Sequence, residues 1–120
     1  MINLFYVASG GSLGAVLRYL TSNFYRFYFP NFPFGTLFIN FLGSFLIGIL
    51  ASNLENQGTS YAFIKYFLII GILGSFTTFS TFSLETIQLV NDKKLFLSLV
   101  YIFLSISLCI LGAFFGFNIN

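Results

Sequence analysis

Only five basic and three acidic side chains are spread over 120 residues, so charged residues make up 7% of the chain. An average water-soluble domain carries about a quarter charged residues, and a chain with so few cannot clothe a surface that faces water. Hydrophobic residues fill 58% of positions and the mean hydropathy is +0.94, so the solvent that suits this chain is the hydrocarbon of a bilayer. One crossing takes about 20 mostly apolar residues, and four crossings with short loops consume nearly the whole length. The expectation is an all-α integral membrane protein: a single domain over 1–120 with four transmembrane helices and no room for a soluble domain. The net charge of +2 is too small and too scattered to engage nucleic acid.

The first apolar segment runs from about Ile2 to Phe24, interrupted by Gly10-Gly11-Ser12 and carrying Arg18. Pro30 and Pro33 cannot both sit inside a helix, so the stretch with Arg26, Pro30, Asn31 and Pro33 reads as a connection. A second helix is expected over Gly35 to Asn53, a polar loop over Glu55 to Ser60, and a long third segment over Tyr61 to Val90. Asn91-Asp92-Lys93-Lys94 then leads to a fourth helix over Leu95 to Phe117. Short connections make neighbouring helices antiparallel. No inverted repeat is visible within the chain, which points to symmetry between chains. The N-terminus has neither a basic n-region nor a small-residue cleavage site, so no cleaved signal peptide is expected. Arg26, Lys93 and Lys94 face one side and Lys65 the other. That slight imbalance leaves insertion in either direction open.

Polar groups at membrane depth are costly and mark function. Asn40 lies six residues into the second helix; its amide either ties helices together or offers uncharged donors to a passing anion. Gly71 to Phe82 holds two glycines and five hydroxyl residues, which weakens the helix near the midplane. Unwinding at Gly74-Ser75-Phe76-Thr77 would expose carbonyls on one side of a break and N–H groups on the other, which is tolerated at depth only around a cavity or a ligand. The alternative is hydroxyl back-bonding with close packing at the glycines. Phe79 and Phe82 share a helix face; they either pack or present positive ring edges to an anion. Ser80 and Thr81 add donors, and Thr36 sits one turn before Asn40. Arg18 either snorkels to the interface or raises the anion concentration in a vestibule. Glu85 lies about two turns beyond the break. With no histidine and Cys109 as the single cysteine, no His/Cys metal site and no intrachain disulfide is available. No nucleophile–base pair or metal cluster suits an enzyme.

Gly10-Gly11-Ser12-Leu13-Gly14-Ala15-Val16-Leu17-Arg18-Tyr19, the run from Phe34 to Gly48 around Asn40, and Gly71 to Ser83 with its TTFSTF string resemble the Fluc/CrcB fluoride channels, over all four helices and in the same order. The resemblance implies an antiparallel, dual-topology homodimer, or a pair with a diverged partner, in a bacterial inner membrane, with two fluoride pores at the subunit interface. It implies that Asn40, Phe79 and Phe82 contact fluoride and that Thr36, Ser80 and Thr81 form a polar track. It further implies that Glu85 marks one pore end and that Tyr101 and Ser105 approach the pathway. It assigns Gly74 and Thr77 as backbone-carbonyl ligands of a structural, non-transported sodium ion. Ser75 stands where that family has a second glycine, and a serine there would be strained if the position needed positive φ.

Such a pore would replace the tightly held water of fluoride with neutral donors, so that entry is favourable and exit is not blocked. Two rival readings are a proton-coupled exporter and a non-transporting assembly subunit. The first needs a membrane-embedded carboxylate, and the first, second and fourth segments have none; the second leaves the hydroxyl cluster unexplained.

Overall fold

The computed structural model describes residues 1–56 and 61–119, the side chains of 55 and 56 aside. Among these the chain is helical and has no strand. Helix α1 spans Ile2–Tyr28 and α2 spans Phe34–Asn56. The third segment is α3, wound as a π-helix over Phe63–Leu73 and ending in one α-helical turn, Gly74–Phe76, followed by α4, Phe79–Asn91. Helix α5 spans Leu95–Phe117. Among the described residues, three stretches are long and apolar enough to cross a membrane: Phe34–Leu54, Phe63–Asn91 with its break, and Leu95–Phe117. Helix α1, at 27 residues, has the length but is less apolar. The longest dimension is 50 Å, enough to span a bilayer of about 40–45 Å with its headgroup layers.

Helix α1 runs four residues past its expected end at Phe24. Arg26 is polar but does not stop a helix; Pro30 does, because it drives the residue before it out of the helical region. Phe29 accordingly sits at φ −133°, ψ 73°, while its N–H still reaches Tyr25 O at 2.8 Å. Helix α2 likewise continues to Asn56 instead of ending at Asn53, so the expected Glu55–Ser60 loop is helical backbone at its start and otherwise lies outside the described residues. Helix α4 closes without a glycine. Lys94 N bonds Leu89 O at 2.9 Å and Lys93 N bonds Val90 O at 3.0 Å, with Lys93 at φ 61°. This is the paired closure that usually employs glycine in the left-handed position.

Two helix pairs make up the fold. Helix α1 lies along α3, and α2 lies along α5, with α1–α2 and α4–α5 contacts joining the pairs. Both pairs are parallel, as an up-down-up-down course requires. Gly10 faces Phe67 and Gly71, and Gly14 faces Ile72; Phe41 meets Gly112 and Phe45 meets Gly116. The glycines permit this because lipid offers no hydrophobic drive between helices, so close backbone approach must supply the association. A Cβ on Gly71 would come within 2.9 Å of the Gly10 Cα. The buried interior is small and centred on Tyr101, Leu37, Phe82 and Leu89. Most large apolar side chains, such as Phe5, Phe27, Phe96 and Phe103, lie exposed, which suits lipid and not water.

Candidate ion pathway at the helix break

The third segment is broken, but later than the glycines suggest. Residues 74–76 remain helical and only Thr77 (φ −79°, ψ 153°) and Thr78 (φ −152°, ψ 115°) are extended. The expected unwinding at Gly74-Ser75-Phe76-Thr77 is thus displaced. Two physical reasons account for it. Gly71 is used for packing against Gly10, and Gly74 sits at φ −62°, ψ −30°, so neither glycine's freedom is spent on a turn. The extended pair are threonines, whose branched Cβ favours extended backbone. Ser75 also lies in the helical turn, and no non-glycine residue other than Lys93 has positive φ among the described residues, so its Cβ carries no strain.

Several polar groups freed by the break find partners, some from other helices and some within the segment. Asn40 supplies two: its Nδ2 donates to Thr78 O at 3.1 Å, and Thr78 N donates to its Oδ1 at 2.8 Å. The side-chain amide thereby mimics the backbone pairing that the helix lost. Thr77 turns back on Leu73 O through both its N–H (3.0 Å) and its Oγ1 (2.9 Å). Arg18 Nε donates to Ser75 O at 3.0 Å. Thr78 then caps α4, its Oγ1 accepting from Thr81 N at 3.1 Å. Gly43 on α2 leaves room for the Thr77 methyl. No hydrogen bond ends on the carbonyls of Gly74 or Thr77 among the described residues, so these two oxygens are available to a cation.

The sequence does carry a signal for the cap: threonine just ahead of a helical run is a preferred N-cap. Thr78→Ala is expected to cost about 1 kcal/mol, read as a lower thermal midpoint by circular dichroism, while Ser83→Ala on the same helix leaves it unchanged.

Asn40, Phe79, Phe82 and Ser105 line one cavity of about 370 Å³, together with Gly74, Thr77 and Thr78. The two phenyl rings lie 5.4 Å apart, centre to centre, at 55°. Phe82 is buried and Phe79 is 76% exposed. The Ser105 hydroxyl is buried without a partner among the described residues. Cys109 also lines this cavity, half-buried. A second cavity of about 490 Å³ lies toward the α1–α2 turn and holds Thr36, Thr81 and Glu85 with Arg26 and Lys94. Tyr101 connects the two: its ring packs 5.1 Å from that of Phe82, and its hydroxyl donates to Glu85 Oε1 at 3.1 Å. Nothing in the sequence marks Arg26 and Lys94 as site residues, because a lone basic residue near a connection carries no spacing signal.

Two candidates stand elsewhere. Ser80 is exposed, lines neither cavity, and holds its hydroxyl 3.2 Å from Thr78 Oγ1. Arg18 lines neither cavity; its Nε reaches from α1 to the break at Ser75 O.

A segment long and apolar enough to cross a membrane but broken partway along, with several of its freed backbone groups tied by side chains and its hydroxyls and aromatic rings around a cavity, defines a helical multi-pass membrane protein of the ion-pathway type. Residues 5–117 match the family described as CrcB-like protein, Camphor Resistance (CrcB). The chain belongs to that family. It is 44% identical over 117 residues to the fluoride-specific ion channel FluC of Agrobacterium fabrum (strain C58 / ATCC 33970), covering 97% of this chain and 94% of the relative. The channel of the same name from Campylobacter jejuni subsp. jejuni serotype O:23/36 (strain 81-176) is 44% identical over 121 residues, covering 99% and 98%. That of Shewanella denitrificans (strain OS217 / ATCC BAA-1090 / DSM 15013) is 45% identical over 117 residues, covering 97% and 94%.

Proposed function

We propose that this protein is a fluoride-specific channel that lets fluoride leave the cell passively and so lowers its toxicity inside. The observation that carries the reading is the unpartnered Ser105 hydroxyl, buried in the same cavity as Asn40, Phe79 and Phe82. A buried hydroxyl without a partner is costly, and an anion passing through the cavity removes that cost. Fluoride is small and gives up water only for comparably good donors. Ser105, the Asn40 N–H that is not bonded to Thr78, and the phenyl edges are neutral donors or positive edges, so they can replace water without forming a deep well. The Thr36–Thr81–Glu85 cavity, bounded by Arg26 and Lys94, serves as the aqueous entrance, and Ser80 contributes at the open face of α4.

The same reading takes α1 as a fourth span, held against α3 by glycine contacts. It pairs the subunit with a second, antiparallel copy or a diverged partner in a bacterial inner membrane. The exposed Phe79 and the open cavity wall belong to that pairing. The free carbonyls of Gly74 and Thr77 are the ligands for a structural sodium ion, which when bound supplies a fixed positive charge and ties the ends of the break. Hard oxygen donors of this kind suit such a cation.

The test is fluoride-electrode efflux from liposomes holding purified protein, with sodium present or replaced by a large organic cation. Efflux driven by the fluoride gradient alone is expected, reduced without sodium, and lowered about tenfold or more in Phe79→Ile, since one lost site in a track costs of order 1–2 kcal/mol. Rates no faster than protein-free liposomes, or flux that follows a proton gradient and depends on Glu85, would reject it in favour of the assembly or exporter readings.

A further inference from the structure

We propose that Arg18 is a positioning residue that holds the lower half of the break, through a hydrogen bond and not through its charge. The inference rests on the channel reading above but concerns a residue outside both cavities. Gly10, Gly14 and Arg18 are spaced four apart on one face of α1, and Gly71 and Ser75 are spaced four apart on α3. The first rung brings Gly10 against Gly71, the second brings Gly14 against Ile72, and the third sets Arg18 Nε on Ser75 O at 3.0 Å. The glycine contacts thus aim the arginine. Gly11, with Ser75 Oγ 3.3 Å from where its Cβ would be, leaves room beside that rung.

The end of a helix leaves carbonyls without partners, and at membrane depth no bulk water supplies them. Asn40 on α2 ties the Thr78 side of the break and Arg18 on α1 ties the Ser75 side. The free carbonyls of Gly74 and Thr77 each adjoin one of these tied residues, Gly74 beside Ser75 and Thr77 beside Thr78. Fixing Ser75 restrains the adjoining Gly74 carbonyl, as Asn40 restrains that of Thr77 through Thr78, so Arg18 sets how well the Gly74 oxygen meets its counterpart on one cation. A positive charge near the C-terminal end of a helix is itself favourable, but charge alone does not demand that the ε nitrogen be the donor.

The bond count of the side chains separates the two contributions. Glutamine places its amide nitrogen at the same position along the chain as Nε, so Arg18→Gln keeps the donor and loses the charge. Arg18→Lys keeps the charge with the donor one atom further out, and Arg18→Met keeps only the shape. Full-length protein in liposomes would be assayed for fluoride efflux against sodium concentration, and the detergent-solubilised protein for hydrogen exchange over residues 72–82. We expect Arg18→Gln to stay within about threefold of the parent in rate and half-maximal sodium, the loss being that of a charge-assisted compared with a neutral bond. Arg18→Met is expected to lose about tenfold in rate, to need roughly tenfold more sodium and to exchange faster over 72–82, as one orphaned buried carbonyl implies. Arg18→Lys should follow Met more closely than Gln.

The reverse order, with Lys like the parent and Gln like Met, assigns Arg18 to electrostatic attraction and overturns the proposal; so does the absence of any difference. If Arg18→Met does not accumulate, the Gln and Lys variants alone decide. If the parent shows no efflux, the channel reading falls, and the exchange order over 72–82 still judges the arginine.

Discussion

Replacing Asn40 with leucine is expected to abolish measurable flux and to lower the thermal midpoint together, because one side chain serves the break and the cavity at once. Leucine has nearly the same shape but cannot pair with the Thr78 peptide, now joined to Asn40 at 3.1 and 2.8 Å. An unpaired buried N–H or C=O costs about 1–3 kcal/mol, and here two are orphaned in a low-dielectric surrounding. Asn40→Asp separates the functions. It retains an acceptor for Thr78 N, loses the donor to Thr78 O, and sets a negative charge in the anion path. Its flux should therefore fall further than its stability does. Efflux rate per channel and circular dichroism melting measure the two effects; the chain has no tryptophan, so fluorescence is the poorer probe. Leucine at position 40 with unchanged flux and midpoint would show that the break holds itself.

Valine at Gly14 or Gly116 should have the largest effect on stability of any single change. A Cβ at Gly14 would fall on the Ile72 carbonyl, and one at Gly116 on the Phe45 carbonyl. Overpacking costs about 1–3 kcal/mol where side chains can yield, but two helix backbones cannot yield without separating, so the cost lies at or above the top of that range. Gly11→Ala is the control. Its Cβ would meet only the Ser75 hydroxyl, at 3.3 Å, which can rotate away. Folded yield and melting midpoint are expected to collapse for the first two variants and to stay near the parent for the third. Similar outcomes at all three positions would contradict the parallel α1–α3 and α2–α5 contacts as described.

Much of the site is legible in the sequence, because chemistry at membrane depth is sparse. A lone asparagine, a hydroxyl cluster and two phenylalanines three apart stand out where nearly everything else is apolar. Their placement is less legible. Asn40 has two open readings from sequence, tying helices or facing an anion, and the structure gives the first through Thr78 while leaving one amide hydrogen for the cavity. Ser80 lies on the same short helix as Thr81 yet faces away from both cavities, since neighbours in a helix point about 100° apart. Arg18 has no legible partner, because Ser75 lies 57 residues further along the chain and a backbone carbonyl leaves no mark in a sequence.

The broken segment separates what each level decides. The scarcity of charge and the apolar segments determined, by themselves, that this chain lives in a bilayer and folds as helices, since a backbone in hydrocarbon must satisfy its own hydrogen bonds. The glycines and hydroxyls of 71–82 marked that stretch as the place where a helix could be interrupted, with close packing and back-bonding as the alternative. Where it parts was decided by tertiary structure acting together with the branched Cβ of Thr77 and Thr78. Gly71 is held helical by its contact with Gly10, and the chain opens two residues past Ser75, at Thr77 and Thr78, where Asn40 can take over the lost backbone bonds. A break at membrane depth forms where partners exist to satisfy it, not simply where helix propensity is lowest.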